Sequence, residues 1–377
     1  MIQRRTITSS NDTMMIFETT CGDKLHFYRQ SLVLMFAGKR NTLSTSTHNG
    51  GYQEELNAVF NNDGKKGAGM GCEIKADTYE EHLKILSREL GLDPQYCSGI
   101  GTAASMENVS IKTQKHGELT VTAIVTGGIE TNGGRVGDPA SWDEWASRNK
   151  KMSHGTINII LCIDANIPAG TLTRALVTVT EAKTAAIQEL MAGSNYSNDL
   201  ATGSGTDSTI IVGNMESSMT LTNAGKHSKL GEIIGLVVKE AVADALYKQT
   251  GLSPKSQHSS LARLKRYGVT HDTLWDQYLS QKESGMCKPD FIHAVETLGA
   301  DDKVLPSLSA VIHLVDQYRW KLLKAEETLS AAELILSALS TSFDIKYLPI
   351  KSESVNGNLV DLVIRQITKL LIQLVAK

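Results

Sequence analysis

A chain of 377 residues with 41% hydrophobic content is long enough for two domains and a substantial core. A net charge of -3 and a pI near 6.4 leave no global basic field, which argues against nucleic acid as a partner. Five cysteines (Cys21, Cys72, Cys97, Cys162 and Cys287) form no C-x-x-C, so they read as reduced thiols of a cytoplasmic protein, not a disulfide framework or zinc site. Arg4 and Arg5 near the start lack an apolar run behind them, so export is not expected. An uncharged apolar stretch of membrane-spanning length is also missing, so no membrane span is expected.

In chain order, residues 14–19, 25–28 and 31–36 read as strands, and 42–47 is a polar β-branched run. Residues 78–90 read as a helix, with Tyr79, Leu83, Leu86 and Leu90 at helical spacing and Gly91 as its stop. Strands follow at 109–113, 119–125, 156–163 and 209–212, interrupted by helical patterns at 170–191 and 229–247. Alternation of this kind predicts an α/β layered mixed sheet with helices over residues 1–250. The polar stretch 251–260 has linker composition, and 251–377 reads as a helical C-terminal region. Its patterns fall at 261–267, 274–279, 291–298, 307–339 and 359–376. In the last, Asp361, Arg365, Lys369 and Gln373 form a thin polar stripe. Such a helix must be largely buried, against its own bundle or another subunit of a homo-oligomer.

Polar glycine- and threonine-rich clusters abut the apolar runs. Glycine at that density costs folding entropy unless the backbone needs positive φ or a close approach. The loop 126–138 follows a strand and carries Gly128, Asn132, Arg135 and Asp138, and exposed amides in such a loop make a concavity for an oxygen anion or an amide carbonyl. Thr202-Gly203-Ser204-Gly205-Thr206-Asp207 is not a phosphate loop, since no lysine follows and the next segment reads as a strand. Lys183 falls on the apolar stripe of the 170–191 pattern, and burial there would demand an acid, Glu181 or Asp207. Should 177–180 be a strand instead, Lys183 would sit in a first helical turn. His227 precedes Ser228, a plausible N-cap, where a histidine tends to stay neutral. The histidines show no metal-ligand spacing.

The order of seven stretches resembles the CbiZ-type adenosylcobinamide amidohydrolases of corrinoid salvage. They are 43–51, 101–108, 126–138, 155–158, 180–183, 202–207 and 225–232, and they cover roughly residues 30 to 250. The resemblance implies hydrolysis of the amide between the corrin-ring carboxyl and aminopropanol. On its motif positions Asp207 and His227 are expected as an acid/base pair activating water or the Thr206 hydroxyl. Asn132 and glycine N–H groups of its loop are expected at the oxyanion site, with Glu181 and Lys183 holding the pair in place or protonating the departing amine. Asn49, Gly50, Gly51, Asn108, Gly128, Arg135, Asn158, Thr202 and Gly203 are expected to line the corrinoid pocket. The sequence requires no cofactor and leaves metal dependence open. Two other readings stand beside this one: a corrinoid-binding protein without hydrolysis, and an amidase acting on a different amide or cobamide.

Overall fold

The computed structural model describes residues 13–65, 72–140, 142–143, 145, 148–149, 155–280, 285–346, 349 and 358–377; Arg4 and Arg5 lie outside them. The chain divides into two compact units, residues 1–196 with 200–253, and residues 197–199 with 254–377.

The first unit begins with strands β1 (Met14–Glu18), β2 (Lys24–Tyr28) and β3 (Ser31–Met35), which form an antiparallel meander. Strands β4 (Arg40–Ser44) and β5 (Gly51–Gln53) pair with each other, and β6 (Ala58–Asp63) returns to pair with β3. Helix α1 (Tyr79–Glu89) is capped by Thr78, whose hydroxyl accepts from the Glu81 amide. It leads to β7 (Cys97–Thr102), parallel to β6. A hairpin of β8 (Ser110–His116) and β9 (Leu119–Gly128) follows. Three short pieces come next: β10 (Gly133–Gly134), β11 (Trp142–Asp143) and β12 (Arg148–Asn149). Then come β13 (Thr156–Ile163), helix α2 (Ala169–Glu189), β14 (Gly203–Ser204), β15 (Ser208–Asn214) and helix α3 (Lys229–Thr250).

Two large sheets result, one in the order β1-β2-β3-β6-β7 and the other β5-β4-β15-β13-β9-β8. Strand alternation dictates how they stack. From β13, Ile157, Ile159, Leu161 and Ile163 join α2 and α3 in one core cluster. The alternate residues Ile160 and Cys162 pack with Leu25, Leu32, Leu34, Val59 and Ile100 of the first sheet. On that sheet's far face, Val33, Ala58, Phe60 and Cys97 meet Leu83 and Leu86 of α1. The unit is therefore a four-layer α/β/β/α stack, the layered mixed architecture that the alternating elements predict.

Strands β6 and β7 are absent from the sequence reading, for a physical reason. After Ala58, Val59 and Phe60, β6 turns to Asn61, Asn62 and Asp63, and β7 carries Gly99 and Gly101, so neither shows an apolar run of strand length. A Cβ at Gly99 would lie 2.1 Å from the Phe60 ring, so the glycine makes room for an aromatic from the paired strand.

The second unit holds α4 (Ser260–Leu264), α5 (His271–Ser280), α6 (Lys288–Gly299), α7 (Val304–Arg319), α8 (Ala325–Thr341) and α9 (Leu359–Val375). The single pattern at 307–339 is corrected to two helices, which reverse through Lys321 in a left-handed conformation (φ 61°) without a glycine or proline to announce it. Helix α9 buries Val363, Ile367, Leu370 and Leu371 within this unit's own core. The apolar face that invited a second subunit is covered from within. No helix among the described residues is long and apolar enough to cross a membrane.

Two histidines of the first unit, His48 and His82, are buried at 1% and 4% exposure. Burial holds both below the ordinary imidazole range. Each is harder to protonate in the folded protein than in the unfolded chain, which binds a proton near its usual pKa. Stability is therefore fully present above about pH 6.5 and falls as pH drops through that value, by at most about 1.4 kcal/mol per pH unit for each histidine. Denaturant midpoints at pH 7.5 and 5.5 should show this acid-side loss, and an unchanged or higher midpoint at 5.5 contradicts it.

Candidate active site

Three of the polar clusters meet at the start of β13. Asp207 is the centre of the arrangement. Its Oδ1 accepts from the Ile157 amide at 2.8 Å and the Ser204 hydroxyl at 2.6 Å. Its Oδ2 accepts from the Ser204 amide at 3.0 Å and pairs with Lys183 of α2. Both charged side chains are only 12% exposed. One turn of α2 supplies a second tie to the same loop, as the Thr184 hydroxyl donates to the Thr202 carbonyl at 3.0 Å. Gly203 is glycine because a Cβ there would lie 2.4 Å from the Asp207 carboxylate and 2.7 Å from Lys183 Nζ.

The loop 126–138 is drawn in by pairing of β10 with β14, Gly133 opposite Ser204 and Gly134 opposite Gly203. Asn132 then donates to the Gly155 carbonyl at 2.8 Å and accepts from the Tyr196 hydroxyl at 2.7 Å. The Thr206 hydroxyl donates to the same Gly155 carbonyl at 3.0 Å, and the Thr156 hydroxyl donates to the Thr206 carbonyl at 2.6 Å. Behind this layer the space between the two sheets turns polar. Asn158 donates to Asn61 at 2.8 Å and to the Gly101 carbonyl at 3.0 Å, and Asn61 donates to Thr126 at 2.8 Å. Asn158 Oδ1 is buried without a partner.

A cavity of about 610 Å³ opens beside these groups. Gly155, Thr156, Thr206 and Ser208 form one wall; Asn62, Gly64, Gly101 and Thr102 form another, where the parallel strands β6 and β7 end. Tyr79 and His82 of α1 close it, with Cys72 and Ile74 nearby. Its size is that of a pocket for a small molecule or for part of a large one. Tyr79 is 40% exposed as a residue, yet desolvation of its hydroxyl beside Gly101 pushes the phenol up to about 12, against the lowering effect of the Gly101 backbone amide. Burial also raises the Cys72 thiol, which disfavours its nucleophilic form. A second hollow, of about 10 Å³, surrounds the buried Asp23–Arg40 pair (2.9 Å) and has room only for a water.

The structure thus brings Thr206, Asp207, Lys183, Asn132, Asn158, Thr202 and Gly203 into one neighbourhood and separates the others. His227 is exposed and is not among Asp207's four donors, so the expected Asp207–His227 pair is not formed. Lys183 took Asp207 as its partner; Glu181 faces outward to Lys226 at 3.2 Å. Residues 177–180 are helical, which places Lys183 well inside α2. Asn49, in the left-handed region at φ 48°, donates to the Pro94 and Cys97 carbonyls at 2.8 Å each. Gly50 lets the turn pass Ser46, whose carbonyl oxygen would be 1.9 Å from a Cβ, and Gly51 starts β5 at φ 74°. Asn108 donates to Gln249 at 2.9 Å, and Gly128 packs against the same side chain. The Arg135 guanidinium reaches the Leu200 carbonyl at 3.2 Å. None of these last six lines the cavity. Tyr79 and His82, which do, hid in the sequence as ordinary positions on an amphipathic helix. Among the described residues no three His, Cys, Asp or Glu side chains converge on a common point.

A four-layer α/β unit whose polar loops gather beside one cavity has room there for a small-molecule ligand. The profile of the adenosylcobinamide amidohydrolases (CbiZ) matches residues 16–254, and the chain belongs to that family. It is 32% identical over 231 residues to Uncharacterized protein MJ1613 of Methanocaldococcus jannaschii, an alignment covering 58% of this chain and 87% of that one. Among solved structures, the PH0078 protein from Pyrococcus horikoshii OT3 aligns at 13% identity with a TM-score of 0.32, over 70% of this chain and 91% of that one.

Removing Lys183 leaves a largely buried Asp207 carboxylate without its countercharge, so Lys183→Met should cost about 3 kcal/mol or more. A denaturation midpoint equal to wild type contradicts the ion pair. At the opposite wall, a Cβ at Gly101 would meet the Tyr79 hydroxyl at 2.5 Å. Gly101→Ala should therefore lose about 1–3 kcal/mol, and adding Tyr79→Phe should restore much of it. Additive losses in the double variant contradict that contact.

Proposed function

We propose that this chain hydrolyses the amide joining the corrin-ring carboxyl to aminopropanol in adenosylcobinamide, giving adenosylcobyric acid for corrinoid salvage in the cytoplasm. Family membership supports an amidohydrolase. The observation that carries the reading further is the cavity of about 610 Å³, to which three stretches of the family resemblance contribute: Gly101–Ala103, Gly155–Thr156 and Thr206. The cavity takes the amide-bearing arm and the macrocycle rests outside it, since a corrin ring with all its side chains is larger than the space enclosed.

In the reaction, a water oxygen adds to the amide carbon, the carbon–nitrogen bond breaks, and the departing amine takes up a proton. One water is consumed, leaving a carboxylate and an ammonium. Asp207, committed to four donors, serves by holding Thr206 and Gly155 in the wall and does not itself carry the proton. The carboxyl proposed for that task is Asp63, which follows the wall residue Asn62 on β6, does not itself line the cavity, and accepts from the Lys65 amide at 3.0 Å. Burial raises it above the ordinary carboxylate range, as suits a group that takes and returns a proton. Its charge is felt by the Cys72 thiol of the wall.

Purified protein incubated with adenosylcobinamide, with and without chelator, should release adenosylcobyric acid and aminopropanol detectable by mass spectrometry. Tight binding without product would favour a non-catalytic corrinoid carrier, and neither binding nor product would leave an amidase for another amide. Loss of product on chelation would assign the water to a metal. In the active protein, Asp63→Asn should lower kcat by about 10²–10⁴, whereas His227→Ala should turn over near the wild-type rate. Normal turnover by Asp63→Asn removes Asp63 as the base.

A further inference from the structure

An amidohydrolase needs donors aimed at the carbonyl oxygen, which becomes an anion as water adds. Asn132, the residue that the family resemblance implies for this task, donates to the Gly155 carbonyl and does not line the cavity. The glycine loop around it is occupied by its pairing with Gly203 and Ser204. The donors must come from elsewhere on the cavity wall.

We infer that Tyr79 and His82, one turn apart on α1 and lining the same cavity, donate the hydrogen bonds that hold the substrate's amide oxygen. The inference rests on the amidohydrolase reading above and names the carbonyl site within it. Three observations carry it. The His82 ring is buried at 4% exposure, and its Nδ1 accepts from the Lys75 amide at 3.1 Å. That bond assigns the hydrogen of the neutral ring to Nε2, which makes Nε2 a donor and not a base. The Tyr79 hydroxyl is fixed against Gly101, the residue whose missing side chain makes its seat. The two rings lie 5.7 Å apart between centroids, tilted by 33°, so each restrains the other's orientation.

The protonation states suit the role. Tyr79, its hydroxyl pushed up to about 12 by desolvation beside Gly101, keeps its proton throughout the physiological range. His82, held below its usual range by burial and by the charge of Lys75, is neutral there. Two neutral donors can strengthen their bonds as charge develops on the oxygen without binding a ground-state anion such as the product carboxylate too tightly. During the step the carbonyl π electrons move to the oxygen, where the two hydrogens meet them. They return when the carbon–nitrogen bond breaks, and neither side chain gains or loses a proton.

The test compares Tyr79→Phe, His82→Leu and His82→Gln with wild type on adenosylcobinamide. Glutamine can accept from the Lys75 amide and still donate, so it serves as the rescue. Tyr79→Phe and His82→Leu should each lower kcat by about 10²–10³ with little change in KM, the loss typical of one oxyanion donor. His82→Gln should recover a large part of the loss. Unchanged kcat in Tyr79→Phe, or equal losses in His82→Leu and His82→Gln, overturns the inference while leaving the amidohydrolase reading intact. A wild-type protein that yields no product overturns that reading, and the carbonyl role with it. A measurement on resting protein guards against a folding defect in the leucine variant: nitrogen-15 shifts at pH 7.5 should report His82 as the neutral Nε2–H form. A hydrogen on Nδ1 overturns the donor assignment whatever the variants do.

Discussion

The carboxylate of Asp207 is the constraint on which the site depends. It gathers an amide at the start of β13, both donors of Ser204, and the ammonium of Lys183 from α2. A strand, a loop and a helix are thereby tied at one point. A largely buried charge of this kind is tolerable only with its full set of partners, so the loop 202–207 has little freedom. Its fixed position in turn sets Thr206 against Gly155, and these two residues form a wall of the cavity. The same tie explains Gly203, which leaves the space that the ion pair fills.

Around that point the fold solves a packing problem common to stacked sheets. The two sheets share an apolar interior, but a substrate with amide groups needs polar partners at its edge. The chain makes the change of character within single strands. On β13, Ile160 and Cys162 face the apolar interior while Asn158, two residues before, begins a hydrogen-bonded chain to Asn61 and Thr126. The apolar layer ends where this chain begins, and the cavity opens next to it through Gly101, Thr156 and Asn62. The proposed function rests on that juxtaposition: one wall of small hydroxyl groups, another of backbone and amides, and a helix bearing a phenol and an imidazole.

Much of this was legible in the residues. Apolar alternation located β9, β13 and β15, and helical spacing located α1, α2 and α3, because each has a strongly buried face. Lys183 on an apolar stripe demanded an acid, and Asp207 is that acid. Three of the glycine-rich clusters, 126–138, 155–158 and 202–207, did converge, since glycine marks close approach, while 43–51 and the turn of His227 stayed apart. What stayed hidden was hidden for physical reasons. β6 and β7 carry asparagines and glycines because Gly99 admits the Phe60 ring, Asn61 joins the chain to Thr126 and Asn158, and Asn62 and Gly101 line the cavity, so their strand signal is weak. His82 and Tyr79 occupy helix positions that look like packing, and only the tertiary contact of Lys75 and Gly101 gives them a direction. His227 looked chemical because of its neighbours in sequence, yet its turn leaves it in solvent.

The central claim is that the amide of a corrinoid side arm enters the cavity between the 155–156 and 206–208 wall and helix α1. A crystal structure of the protein with cobinamide bound tests it most directly. The account predicts the aminopropanol-bearing arm inside, with its amide oxygen within hydrogen-bond distance of Tyr79 and His82. Density for the corrinoid seated instead at Asn49–Gly51 or beside His227, with the cavity empty, would contradict it.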